Sequence, residues 1–177
     1  MSLNEHFRIT DGALRIELAS EADYERVGDI TVDAYLHAGH FDDPEHEYLQ
    51  FVRKVDARAQ EAEVYVARRD GRAIASMTLV TFGNGYADIA LEGELEIRML
   101  SVDPSVQRSG AGRAMVQAAI DRARREPGVH TVSLTTGQDW TAARALYESM
   151  GFVRREERDW YVPNTDILLI VYTLELD

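Results

Sequence analysis

"EIRMLSVDPSVQRSGAGRAM", residues Glu96 to Met115, is the stretch on which the reading of this chain turns. Ile97 and Met99 alternate with Glu96 and Arg98, the period-two pattern of a strand with one apolar face. Gly110 and Gly112 then stand one residue apart and open directly into an alanine-rich helical stretch that reaches Arg125. A strand that delivers the chain through glycines into a helix presents first-turn N–H groups that have no partner within the helix. They are backed by the positive end of the helix dipole. Glycine lets the backbone approach an anion without a Cβ in between, and Arg108 and Arg113 place charge on either side. The stretch reads as a phosphate cradle. It is no Walker loop, which needs four residues between its glycines and then Gly-Lys-Ser/Thr. It also fails the dinucleotide fingerprint: Met115 stands where a third Gly or Ala belongs, and "HTV" (His130–Val132) lies where the acidic residue belongs.

Upstream, "GALRIELA" (Gly12–Ala19) alternates as a strand, and Ser20 is placed to cap a helix with Val27, Ile30, Ala34 and Ala38 at helical spacing. "HAGHFDDPEHE" (His37–Glu47) breaks that pattern, and a second helix is expected after Pro44 with Tyr48, Phe51, Val52 and Val55 on one side. "EVYVARRDGRAIASMTLVTF" (Glu63–Phe82) reads as a hairpin turning at Asp70-Gly71, followed by an irregular Gly83–Gly93. Downstream, "HTVSLTT" (His130–Thr136) is a strand and "DWTAARALYESM" (Asp139–Met150) a helix capped by Asp139 and closed by Gly151. Two strands follow, near Phe152–Arg158 and Ile167–Leu174. The order β-α-α-β-β-β-α-β-α-β-β predicts a single domain over 1–177 of α/β content and α+β type. Its sheet would be mixed and mostly antiparallel, of six to seven strands with a central parallel pair, flanked by about four helices.

The composition sets limits. A net charge of −12 argues against a nucleic-acid binder, which usually shows a basic face, and leans toward cationic acceptors. There is no cysteine, so disulfides, thiolate nucleophiles and zinc-thiolate clusters are out of reach. The longest apolar run, Ile167–Tyr172, is too short for a bilayer, and the first residues lack a basic-then-apolar signal, so no membrane partner and a cytoplasmic address are expected. The cations are eighteen arginines and Lys54, and five of the arginines fall between Arg108 and Arg125, against Asp121 as the one acid there. His37, His40 and His46 stand among Asp42, Asp43, Glu45 and Glu47, but in no regular ligand spacing, so no metal is expected.

Gln-x-x-Gly-x-Gly (Gln107, Gly110, Gly112) after "LSVDP", together with "AARALYESMGF" (Ala142–Phe152) some forty residues on, resembles the GCN5-related N-acetyltransferases, the GNAT superfamily, over nearly the whole chain. The resemblance implies transfer of an acetyl group from acetyl-CoA to a primary amine, by direct attack in a ternary complex. The pyrophosphate would be cradled by the amides of Gln107, Arg108, Ser109, Gly110, Ala111, Gly112 and Arg113, and the pantetheine arm would pair with Leu100, Ser101 and Val102. Tyr147 would match the family's acid toward the leaving thiolate. A phenol near pKa 10 is a weaker acid than a thiol near 8.5, by about 2 kcal/mol, so a strengthening hydrogen bond describes that role better than full proton transfer. Glu96 falls where several members carry a base. Its carboxyl lies about six pKa units below an alkylammonium, so base, ammonium binder and ion pair with Arg98 stay open. His37–Glu47 falls where such proteins build part of the acceptor site, with Gly83–Gly93 and Tyr86 as a second wall.

The chain departs from the family at Trp140, where an Asn that contacts the pantetheine often stands; core packing beside Ala143, Leu146 and Met150 is the expectation there. The acceptor would be a small-molecule or peptide amine. A non-catalytic acyl-CoA sensor and a nucleotide-binding protein are the competing classes. "RDWYVP" (Arg158–Pro163) and "ILLIVYTLEL" (Ile167–Leu176) are candidates for a sheet edge that would support a homodimer, with a monomer the alternative.

Overall fold

The strand read over Glu94–Val102 (β5) is the spine of the molecule. In the computed structural model, which describes residues 9–11, 14–106 and 108–177, β5 pairs antiparallel with β4 (Arg72–Thr81) and parallel with β6 (Thr131–Gly137). Helix α4 (Ala111–Arg125) makes the crossover that a parallel pair requires. On the β4 side the sheet continues through β3 (Glu63–Arg69) and β2 (Leu14–Leu18) to β1 (Ile9–Asp11); on the β6 side it continues to β9 (Leu168–Glu175) and β7 (Val153–Arg154). A further short strand, β8 (Trp160–Tyr161), pairs with β9. Nine strands therefore form one sheet among the described residues, and β5–β6 is its parallel pair.

Alternation along the strands builds a core on each face. Tyr65 and Ala67 of β3, Met77 of β4 and Leu95 and Ile97 of β5 pack against Ala114, Met115, Ala118 and Ala119 of α4. Val64 and Val66 point the other way, onto Val27 and Ile30 of α1 (Tyr24–His37) and Val55 of α3 (Val55–Glu61). Met99 joins Val32, Leu49 and Val52 under α2 (Glu47–Arg53). Strands covered on both faces explain why β4 is buried from Ala73 through Val80 and reads as a nearly continuous apolar run.

Several expectations are corrected. The helix after Pro44 is two short helices, because Lys54 leaves helical geometry at ψ 71°. The strand expected at Phe152–Arg158 is the two-residue β7 followed by a 3-10 turn at Glu156–Arg158. Ser20 caps such a turn, at Glu21–Asp23, donating from both N–H and Oγ to Asp23. The first strand's Gly12 and Ala13 lie outside the described residues. Of the two late segments read as a sheet edge, Ile167–Leu176 is interior, since β9 is bonded to β6 on one side and to β7 and β8 on the other, whereas β8 within Arg158–Pro163 pairs with β9 alone among the described residues.

Candidate active site

The parallel ladder between β5 and β6 ends at Ile97–Leu134. Beyond it β6 stays with β9 as far as Gly137–Leu169, while β5 stays with β4 as far as Val102–Ala75. Two strands held by different neighbours must part, and a cleft of about 720 Å3 opens between them. A bulge sharpens the parting. Met99 adopts φ 53°, a left-handed backbone that is costly for a side chain of its size, where the β4–β5 register shifts between Ser76 and Thr78. Past the ladder's end, the edge of Leu100, Ser101 and Val102 that faces β6 has no strand partner among the described residues, and these residues line the cleft.

The glycine turn forms one end of the cleft. Gly110 is the N-cap of α4 at φ 81°, and Arg108 is also left-handed at φ 62°. The first helical bond runs from the Ala114 N–H to Gly110 O at 3.0 Å, so the amides of Ala111, Gly112 and Arg113 precede it. Among the described residues beyond its chain neighbours, nothing lies within 4 Å of a Cβ built at Gly110, and one at Gly112 would meet only ordinary contacts with Leu146 and Val102. The protein itself therefore does not require these glycines for packing. The turn is braced from outside: Arg69 donates to Ser109 O at 3.3 Å, and Asp103 accepts from the Ser105 N–H and Oγ and from Arg26. Burial would raise the Asp103 carboxyl, but these donors outweigh it and hold it down at about 2. Of the five clustered arginines, Arg122 pairs with Glu63 and Glu126, and Arg124 with Asp121. Arg108 and Arg113 are the two that line the cleft.

Helix α5 (Thr141–Ser149) forms a wall. Tyr147 is its buried residue, packed against Phe152 and Tyr172 with ring centroids 5.9 and 6.3 Å away, and it lines the cleft. Burial pushes its phenol up to about 12. Against a thiol near 8.5 that widens the gap to about 5 kcal/mol, so Tyr147 is suited to hold its proton and share it in a hydrogen bond.

Two readings of this helix are corrected. Asp139 does not cap it; Trp140 occupies the cap position without a side-chain bond. Nor is Trp140 packed into the core. Its indole lies over Gly137, where any Cβ would come within 2.3–2.6 Å, and it stacks on His40 from beyond α1 with centroids 3.5 Å apart. Burial brings His40 down to about 4, so the imidazole is neutral at pH 7. The pair spans from the loop after α1 to the start of α5, and both residues line the cleft with His37 and Tyr35. Nothing in the spacing of "HAGHFDD" points to this pairing; a glycine closing a strand, as Gly137 does, is the signal that could have found something lying against the backbone.

Glu96 stands apart. It is fully buried, does not line the cleft, and gives its Oε2 to the amides of Asp88, Ile89 and Ala90, each at 3.0 Å. Its nearest approach to Arg98 is 3.9 Å, whereas Arg98 reaches Asp88 at 2.9 Å. Gln107 lies outside the described residues. The structure thus gathers Leu100, Ser101, Val102, Arg108, Ser109, Gly110, Ala111, Arg113 and Tyr147 around one cleft, sets Gly112 just behind it, and leaves Glu96 beneath a loop.

The family model for the acetyltransferase (GNAT) family matches residues 24–152. The chain belongs to the GNAT family. Among curated relatives, the [ribosomal protein bS18]-alanine N-acetyltransferase of Escherichia coli is 43% identical over 67 residues, 38% of this chain and 45% of that protein. A mycothiol acetyltransferase of Cellulomonas flavigena is 35% identical over 117 residues, 61% of this chain and 33% of that protein. The matched stretches thus span less than half the length of these relatives. Among solved GNAT-like folds, Salmonella typhimurium yncA with its cofactor acetyl-CoA superposes at a TM-score of 0.69, with 22% identity and coverage of 94% and 95% of the two chains. The E. coli ribosomal-protein-S18-alanine N-acetyltransferase gives 0.66, 24%, 93% and 94%.

The residues present fit acetyl-CoA as the cosubstrate. The glycine turn offers first-turn helix amides and two arginines to a pyrophosphate, and the edge of β5 beyond the β6 ladder offers a strand-like partner to an amide-bearing arm. Two further hydroxyls bordering the cleft, Ser109 Oγ and Thr136 Oγ1, are buried without any hydrogen-bond partner among the described residues. Orphaned buried hydroxyls in a polar cleft fit a bound polar ligand that would satisfy them.

Proposed function

We propose that this GNAT protein transfers the acetyl group of acetyl-CoA to a primary amine by direct attack within a ternary complex. The observation that carries the reading is the one cleft lined by the Arg108–Arg113 turn, the edge of Leu100–Val102 that faces away from β4, and Tyr147. Acetyl-CoA supplies an acyl group already activated as a thioester. The chain's own residues bind and orient: amides at the start of α4 take the phosphates, and backbone N–H groups of the open β5 edge polarise the acyl oxygen. Tyr147 donates a hydrogen bond that strengthens as charge gathers on the departing sulfur. The stacked His40 and Trp140, with His37 and Tyr35, wall the acceptor side.

The amine class follows from proton chemistry. An α-amino group near pKa 7.7–8.0 is largely neutral at pH 8, whereas an ε-ammonium near 10.4 must shed a proton at a cost of about 3 kcal/mol. With the β5 carboxylate tied to a loop, the cleft is suited to the first kind of amine, the kind named for the bS18-alanine relative. Thiol release from acetyl-CoA, followed over a panel of peptide α-amines, lysine side-chain amines and small alkylamines, tests the reading. Turnover with α-amines ahead of ε-amines is expected; no thiol release with any amine would refute it.

A further inference from the structure

The Gly83–Gly93 loop between β4 and β5 is clamped through its backbone. Glu96 takes three amides on one oxygen, those of Asp88, Ile89 and Ala90, and Glu94 takes the Leu91 N–H at 3.1 Å. The loop's carbonyls are held as well. Arg98 donates to Tyr86 O at 2.7 Å, and Arg158 donates to Ile89 O at 2.8 Å while pairing bidentately with Glu94. The charged groups facing the Glu96 carboxylate are Arg98 from its own strand and Asp88 from the loop. The loop in turn supports the acceptor side, because Tyr86 stacks on Phe51 of α2 with centroids 6.0 Å apart. Phe51 meets Tyr48, and Tyr48 packs on Phe41, the residue next to His40 in the cleft wall.

We propose that Glu96 is a positioning residue. Its carboxylate gathers the Asp88–Ala90 amides, fixes the loop that backs the acceptor wall, and takes no proton from the amine. The inference rests on the N-acetyltransferase reading for its kinetic consequences. A carboxylate oxygen that already accepts three N–H donors has its lone pairs committed, and protonating it would break charge-assisted bonds. Full burial away from the cleft denies the second oxygen a direct path to an acceptor. Burial also pushes the carboxyl above the usual carboxylate range, against the pull of the Ile89 and Ala90 amides and Arg98.

The test compares the full chain with Glu96→Ala and Glu96→Gln by hydrogen exchange, and by steady-state kinetics with acetyl-CoA and an alanyl tripeptide across pH 6–9. In Glu96→Ala, the Asp88–Ala90 amides are expected to exchange about 10-fold faster or more. The peptide KM is expected to rise about 10-fold while kcat falls by no more than about 3-fold. Glu96→Gln keeps a carbonyl oxygen for the amides, so it is expected to restore most of the protection and the KM, and to keep the acidic limb of the pH–rate profile. Unchanged exchange in Glu96→Ala would overturn the proposal. So would a loss of about 100-fold in kcat for Glu96→Gln together with disappearance of the acidic limb. A wild-type chain that acetylates no amine would count against the enzymatic reading alone, because the exchange experiment decides the anchoring role without turnover.

Discussion

Tyr147 and Glu96 carry similar expectations in the sequence and meet different fates in the fold. Both are ionisable, both sit at positions that the GNAT resemblance marks, and both are buried. What separates them is what surrounds the polar atom. The Tyr147 ring is held by Phe152 and Tyr172 and borders the cleft, whereas the Glu96 carboxylate is consumed by loop amides. Sequence spacing gives the face of a strand on which a side chain lies; it does not give the loop that folds over it. With its phenol pushed up to about 12, Tyr147 is expected to act by hydrogen bonding. Tyr147→Phe should therefore lower kcat by about 100-fold or more, with acetyl-CoA affinity nearly unchanged. Single-turnover kinetics paired with calorimetry separates the two quantities. A wild-type kcat would remove Tyr147 from the mechanism.

At the level of elements, the glycine turn and its helix were legible because their signal is local: glycines, flanking arginines and an alanine-rich stripe all lie within twenty residues. The bulge at Met99 was not. Nothing in "EIRMLSV" distinguishes a regular strand from one with a left-handed residue, since the bulge arises from the register with β4. The same holds for the roof over the cleft, where His40 and Trp140 meet across 100 residues of chain. Gly137 is the element-scale test of that roof. Gly137→Ala would drive a Cβ into the indole, which has to leave its place on β6. The variant is expected to lose about 1–3 kcal/mol of stability by denaturant titration, with a changed tryptophan emission. Wild-type stability and emission would show that the indole does not rest there.

For the whole molecule, the order of elements and the central parallel pair followed from hydrophobic period and turn chemistry. The strand count came out low because strands as short as β1 and β8 leave no period to read. The half-buried His40 gives the folded chain a pH signature. Its native pKa near 4 lies below the unfolded value near 6.5, so between these limits the unfolded chain binds more protons and stability falls as pH drops. His40→Phe keeps an aromatic partner for Trp140 without the proton, and should be less sensitive than wild type between about pH 6.5 and 4. Parallel thermal melts across that range check it; identical slopes would mean that the indole does not shield His40. The account as a whole stands on the start of α4 as a holder of phosphates, and titration calorimetry of acetyl-CoA into wild type and Gly110→Val tests it most directly. A Cβ at Gly110 would meet no other described group within 4 Å beyond its chain neighbours, so valine there strains a left-handed turn and crowds the mouth of the turn without a clash against the core. The account predicts one saturable site in the wild type, weakened by about 10-fold or more in the variant. Equal binding by both chains, or no heat from the folded wild type, would contradict it.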